Sequence, residues 1–263
     1  MGERTSYPHG TFSWVENATT DQDGAKRFYS ALFGWEYDDS PVGDGIVYSM
    51  AKLGGSYVAA IAPQQPDERE MGVPPHWNSY VTVDDVDAVS ARVEELGGKL
   101  LAPPFDVMEV GRMSVLSDPT GAVLCLWQAR QHIGAGLVNV PGAFSWNELG
   151  TRDPEAAQAF YSSLLGWEFE RMDAGPVEYW TILNAGRQNG GMRRMGDETP
   201  ADVPPHWLVY FAVEDIDASE SVVADGGGQT IVPKTEAGPG NAFAVLADPS
   251  GATFGLFQGH LDE

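Results

Sequence analysis

The chain has 263 residues, 43% of them apolar and 20% charged, the balance of a soluble globular protein. Its formal net charge of −23 argues against nucleic acid and anionic membrane surfaces as partners, since both demand clustered Lys and Arg. A single cysteine, Cys125, excludes an intramolecular disulfide and a Cys-based zinc site.

No apolar run approaches the roughly 18 residues of a membrane span, and "MGERTSYPHG" lacks the apolar core of a secretory signal, so a cytoplasmic location is expected. "MGERTS" also fits the myristoylation pattern, which is short and matches by chance. "TFSWVENAT" alternates apolar and polar side chains and predicts a first strand. Thr20 or Asp21 then caps a helix on which Ala25, Phe28, Tyr29, Leu32 and Phe33 form one buried face, closed by Gly34. "GIVYSMAKLGGSYVAAIAP" reads as a hairpin turning at Gly54-Gly55. "HWNSYVTV" is the next strand. Asp84 or Asp85 caps a second helix with Val86, Val89, Val93 and Leu96 as its apolar stripe, stopped by Gly97-Gly98. "GRMSVLSDP" and "AVLCLWQ" form a last hairpin around Asp118-Pro119-Thr120-Gly121.

The same text then begins again. "VPPHWNSYVTVDDVDA" from Val73 returns as "VPPHWLVYFAVEDIDA" from Val203, 130 positions on. "FYSALFGWEY" from Phe28 returns as "FYSSLLGWEF" from Phe160, and "VLSDPTGAVLCLWQ" from Val115 as "VLADPSGATFGLFQ" from Val245. Asp153 and Pro154 open the second copy of the first helix, and Ala157, Phe160, Tyr161, Leu164 and Leu165 repeat its buried face. A repeat of this length is a duplicated domain. The expected boundaries are 8–130 for the first domain, 131–142 for a glycine-rich linker and 143–260 for the second. Each half contains β-α-β-β-β twice.

The strand followed by "TTDQDGAKRFYSALFGW", with "VDDVDA" and "SDPTGAVLCLW" further on, resembles the vicinal oxygen chelate superfamily of glyoxalases, bleomycin resistance proteins and extradiol dioxygenases. The whole chain is similar to actinobacterial two-domain glyoxalase-like proteins of the culture-filtrate-antigen type. The resemblance implies an α+β fold with four βαβββ modules forming two half-open, cup-shaped sheets. It also implies an intramolecular pseudo-dimer, monomeric or weakly dimeric in solution. Active members of the superfamily hold one divalent metal on His, Gln or Glu side chains from the first and last strands of their modules.

Carried onto this chain, those ligand positions fall on Trp14, Asn78 and Cys125 in the first half and on Trp146, Leu208 and Gly255 in the second. Such residues do not make a divalent site, so neither a metal nor another cofactor is expected. His76 and His206 share strand parity with Asn78 and Leu208 and belong at the cup rims, as packed or capping imidazoles. Trp14, Trp146, Tyr80, Tyr210 and Trp127 have the parity of cup-facing side chains, and either fill the cups as core or wall a pocket for a flat apolar ligand. Glu16 and Glu148 lie two residues beyond Trp14 and Trp146 on the same face. They are either exposed strand-end glutamates or carboxylates that anchor a cationic ligand or act as a general base. Arg112 is a candidate partner for Glu16 or for an anionic ligand, with Ala242 in its place in the second half. Cys125 reads as a small buried apolar residue rather than a nucleophile. The expected partner is a small apolar or aromatic molecule, cationic in the sharpest version. Open alternatives are a glyoxalase-like lyase or isomerase, an accessory to oxidative tailoring of secondary metabolites, and a scaffold with filled cups.

Overall fold

The computed structural model describes residues 2–43, 45–174 and 177–261. In the first half, β1 (Phe12–Thr19), α1 (Gln22–Phe33), β2 (Glu36–Gly43), β3 (Ile46–Leu53) and β4 (Ser56–Pro63) form one module. A short helix, α2 (Pro66–Glu70), leads to β5 (His76–Thr82), α3 (Val86–Ser90), β6 (Lys99–Val107), β7 (Gly111–Ser117) and β8 (Val123–Ala129). The second half repeats the plan without the short helix. It runs β9 (Phe144–Thr151), α4 (Pro154–Leu165), β10 (Glu168–Ala174), β11 (Val177–Asn184) and β12 (Arg187–Arg194). Then come β13 (His206–Ala212), α5 (Ile216–Asp225), β14 (Gln229–Glu236), β15 (Ala242–Ala247) and β16 (Thr253–Gln258).

Each half is one eight-stranded sheet, in the orders β2-β3-β4-β1-β5-β8-β7-β6 and β10-β11-β12-β9-β13-β16-β15-β14. The duplicated α+β architecture expected from the sequence is therefore present. The two modules of a sheet meet at its centre, where β1 runs antiparallel to β5 and β9 to β13. The long helices start and stop as the sequence dictates. Asp21 and Asp153 accept from the backbone N–H groups of Gly24 and Ala156, and Gly34 and Gly166 close the helices in the left-handed conformation. The second helices differ: α5 has ten residues and α3 only five, the rest of the first-half segment continuing as turns. From that segment Arg92 reaches the other half and donates to the Ser163 carbonyl at 2.6 Å.

The halves are joined by contacts that occur in reciprocal pairs, the mark of an isologous interface. Trp35 Nε1 donates to the Gly142 carbonyl and Trp167 Nε1 to the Gly10 carbonyl, both at 2.7 Å. The buried Tyr29 hydroxyl donates to Asp248 Oδ2 at 3.0 Å and accepts from Trp77 Nε1 at 3.0 Å. Tyr161 likewise accepts from Trp207 Nε1, at 3.1 Å, and lies beside Asp118. Around these bonds Phe33, Trp35 and Trp77 crowd onto Phe211, and Phe12 onto Trp167 and Trp207. One continuous core thus spans both halves. A register shift between Phe12 and Trp14 lets these residues, two apart in sequence, serve different surroundings. Phe12 enters the shared core, whereas Trp14 packs on His132 and bonds to Tyr48 within its own half.

The segment between the halves is held in place. Ala135 N donates to Ser13 O and Gly136 N to Tyr57 O, both at 2.8 Å, and Arg4 N donates to Gly136 O at 3.0 Å. Among the described residues, no helix is long and apolar enough to cross a membrane.

Replacing Tyr29 by Phe leaves the Trp77 indole N–H and one Asp248 oxygen without their buried partner. Unpaired buried groups of this kind cost about 1–3 kcal/mol each. Urea denaturation of Tyr29→Phe should show a single transition for both halves at a clearly lower midpoint. Two separate transitions in the parent chain would contradict the shared core.

Candidate functional site

The inner strands alternate between the shared core and a concave face. On β5, Trp77, Ser79 and Val81 turn to the other half, and His76, Asn78 and Tyr80 border the concave space. On β1 the concave side receives Glu16, opposite Asn78 on β5 and Ala60 on β4. Its repeat, Glu148, sits opposite Leu208 and Gly191. Both carboxylates enter their cups rather than solvent: Glu148 is 8% exposed and Glu16 is partly buried.

Two phenols hold each carboxylate. The Tyr48 hydroxyl donates to Glu16 Oε2 at 2.7 Å and itself accepts from Trp14 Nε1 at 3.2 Å. Tyr80 supplies a second hydroxyl. In the second cup Tyr210 donates to Glu148 Oε1 at 3.4 Å, Tyr179 adds another hydroxyl, and Trp146 Nε1 donates to the Tyr179 oxygen at 3.1 Å. Close approach of the rings is permitted by residues without bulk beneath them. The Tyr210 ring lies directly on Gly255, and the Tyr179 hydroxyl on Gly191, so that any side chain at either glycine would strike them.

The cups differ in charge. Arg193 Nε lies 3.3 Å from Glu148 Oε1. The matching position on β4 is Ala62, two residues beyond the glutamate's strand neighbour in each half. The titratable side chains beside Glu16, apart from its phenols, are His76 and Glu68. Burial pushes the Glu16 carboxyl above its usual range, opposed by the Tyr48 and Tyr80 hydroxyls. Burial also raises Glu148, opposed first by Arg193. The surrounding phenols of Tyr48, Tyr80, Tyr179 and Tyr210 are driven far upward by burial, so they stay protonated donors. Burial also raises the Cys125 thiol, which sits beside Tyr80 as a buried neutral group.

Several expected site residues take other places. Arg112 does not meet Glu16. It donates to both oxygens of Asp87 at 2.7 and 2.9 Å and to Asp106 at 3.0 Å, because two nearby carboxylates outside the cup match its fork. Trp14 and Trp127 have the expected parity and are buried, with the His132 ring packed against both. His132, from the segment between the halves, stacks edge-on against Trp14 at 4.6 Å and Trp127 at 5.9 Å, and its carbonyl accepts from Trp127 Nε1. Burial lowers the His132 pKa to about 4, leaving it neutral. His76 and His206 are held by the carbonyls of Pro74 and Pro204, each at 2.9 Å. They are capped imidazoles at the rim, and His76 Nε2 also lies 3.9 Å from Glu68. Asn78, Trp146 and Tyr210 border the concave space as expected.

Sequence reasoning missed Tyr48, Tyr179, Arg193 and His132. The two tyrosines carried a usable signal, since they recur at matching places in the repeated β3 and β11 hairpins.

A divalent metal does not fit these side chains. Each cup centre offers one carboxylate already engaged by phenols, beside Trp, Asn and Cys or Trp, Leu and Gly, and in the first cup His76 and Glu68 face each other at the rim instead of converging on Glu16. Among the described residues no three His, Cys, Asp or Glu converge as a metal site.

Comparison with known proteins agrees with the fold. The family described as "Glyoxalase/Bleomycin resistance protein/Dioxygenase superfamily" matches residues 11–126, and a "Glyoxalase-like domain" matches residues 147–257. The chain is 48% identical to "Putative glyoxylase CFP32" of Mycobacterium tuberculosis, covering 98% of both chains. It is 33% identical to "Anthracycline biosynthesis protein DauV" of Streptomyces sp. strain C5, over 97% of this chain and 95% of that one. The Mn(II)-bound glyoxalase from Novosphingobium aromaticivorans shares the fold, with a TM-score of 0.64 at 17% identity over 98% of this chain and 83% of that one.

The folded Glu16 carboxyl holds its proton more tightly than the unfolded one, whose reference pKa is 4.5. Its contribution to stability is therefore full below that value and declines as pH rises through the raised, folded pKa. Glu16→Gln removes this penalty. The variant should gain thermal stability over the parent at about pH 8 and lose that advantage at about pH 4. A variant less stable than the parent at the higher pH would show that the charged carboxylate is favourably paired.

Proposed function

Given that the chain belongs to the glyoxalase/bleomycin resistance protein/dioxygenase superfamily, we propose that it is a metal-independent small-molecule binding protein whose cups take flat apolar ligands. The observation that carries this reading is the repeated trio of one carboxylate and two phenols, Glu16 with Tyr48 and Tyr80 and Glu148 with Tyr179 and Tyr210. Burying a carboxylate among aromatic side chains is costly, and glutamate is almost never buried unpaired. The duplication carries the trio into both halves, and what favours a ligand is that each half keeps this costly buried carboxylate on its concave face.

The recognition chemistry follows from the trio. The phenols fix the carboxylate and leave its remaining lone pairs for an N–H or O–H of the bound molecule. Around it, Trp146, Tyr210 and Phe243 in the second cup, and Tyr48, Tyr80 and Met113 in the first, give apolar and aromatic surface on the border of the concave space. Such surface favours a planar body. The Streptomyces relative is named for anthracycline biosynthesis, which accords with an aromatic ligand class.

A second reading is a glyoxalase-like lyase or isomerase, in line with the name of the mycobacterial relative. The upward shift of Glu16 favours it, because a carboxyl that titrates closer to neutrality is a better general base for a C–H proton beside a carbonyl. Once Glu16 has taken that proton, a Tyr48 or Tyr80 hydroxyl released from the carboxylate can donate to the developing oxyanion.

Purified protein should release an aromatic compound on denaturation, identifiable by mass spectrometry, and elemental analysis after dialysis should find no stoichiometric divalent ion. Glu16→Gln and Tyr48→Phe together with their second-half counterparts should weaken rebinding of that compound by about tenfold or more, the loss of one charge-assisted hydrogen bond. One tightly held metal ion per half, or rebinding unaffected by all four substitutions, would overturn the reading.

A further inference from the structure

Building on the reading of the cups as ligand sites, we infer that the two cups are selective for different ligand charge, the first for an organic cation and the second for a neutral or anionic molecule. The repeat supplies the comparison. Both cups carry the same glutamate, the same two tyrosines and an indole that bonds to one of them. Among the matched positions that differ, the one that changes the charge beside the glutamate is Ala62 in the first cup and Arg193 in the second. Both residues border the concave space.

In the second cup the guanidinium already pairs with Glu148 at 3.3 Å, so the carboxylate's charge is met from within the protein. An arriving ammonium would have to displace Arg193 or sit beside it, and like charges in a poorly solvated site repel. The cup is left close to neutral, and the remaining guanidinium N–H groups can donate to a carbonyl or carboxylate.

In the first cup Glu16 has phenol donors and, among the described residues, no Lys or Arg paired with it. The titratable groups around it are His76 and Glu68, and His76 Nε2 faces Glu68 at 3.9 Å. A protonated amine carried on an apolar body would supply the missing charge. Its ammonium would reach Glu16 while the body lies along Tyr80, Met50 and Met113, which border the same space. The net charge of −23 adds a long-range pull on such a ligand.

Isothermal titration of the full chain with naphthylethylamine, naphthylethanol and naphthylacetate tests this charge selectivity. The amine should bind one site per chain, at least tenfold tighter than the alcohol does at that site. Glu16→Gln should abolish this preference, whereas Glu148→Gln should leave it. Arg193→Ala, with Arg193→Gln as a second variant in case the first fails to fold, should raise the amine stoichiometry from one to two. Ala62→Arg should remove amine binding from the first cup. Two equivalent amine sites in the parent, no preference over the alcohol, or an unchanged stoichiometry in a folded Arg193 variant would overturn the inference. If the amine fails while the alcohol or a co-purifying compound binds, the charge assignment is wrong and the binding function stands. If no ligand of any charge binds, both fail.

Discussion

Two buried tyrosines that reach across to turn aspartates of the opposite half hold the molecule in register. Tyr29 donates to Asp248, and Tyr161 stands beside Asp118, whose charge acts on its phenol. The aspartates are not free to move. The other oxygen of each accepts backbone and hydroxyl donors of its own turn, from Thr120, Gly121 and Ala122 in one half and Ser250 and Ala252 in the other. Helix, turn and partner sheet therefore meet at one buried tyrosine at each end of the pseudo-two-fold, hydrogen-bonded to the turn at the Asp248 end. The indoles of Trp77 and Trp207 bond to the same phenols, which ties the central strands β5 and β13 into the same network.

This constraint decides what the concave faces can do. One side of each central strand is committed to the shared core, and strict alternation sends the intervening residues into the cups. Tyr80 and Tyr210 are thereby aimed from β5 and β13 at the glutamates of β1 and β9, and the hairpin tyrosines Tyr48 and Tyr179 complete each trio. Each cup thus displays one phenol-held carboxylate from its first strand. A rigid back face with a polar group displayed on the front is the division of labour expected of a binding scaffold.

Much of this was legible in the sequence, and the limits follow physical lines. The Asp caps, glycine stops and helix faces were readable because their causes are local: an Asp21 carboxylate three residues before its donor, a Gly34 in the left-handed region. The inward parity of Glu16 and Glu148 was readable because a strand has a fixed period of two. What parity cannot give is which side chain closes over which. Trp14 and Trp127 point as expected, yet His132 covers them from a segment with little periodic pattern. Arg112 was misplaced because its choice between Glu16 and the pair Asp87 and Asp106 is tertiary. Asp118 was legible as a turn residue, but its service to Tyr161 was not, since the partner comes from the other half. Arg193 was not legible because nothing local in "RQNGGMRR" marks which of its arginines turns to Glu148, a choice made by the pairing of β12 with β9.

The account turns on two carboxyls that the fold itself has made unusual. Titration of the glutamate side-chain carbons by NMR, with Glu16→Gln and Glu148→Gln for assignment, measures that directly. Two glutamates should titrate above all the others, with the Glu148 signal responding to removal of Arg193 and the Glu16 signal indifferent to it. Glutamates that all titrate together in the ordinary carboxylate range would mean that both side chains reach water, and the cups would then lack the buried anchor on which ligand recognition is built.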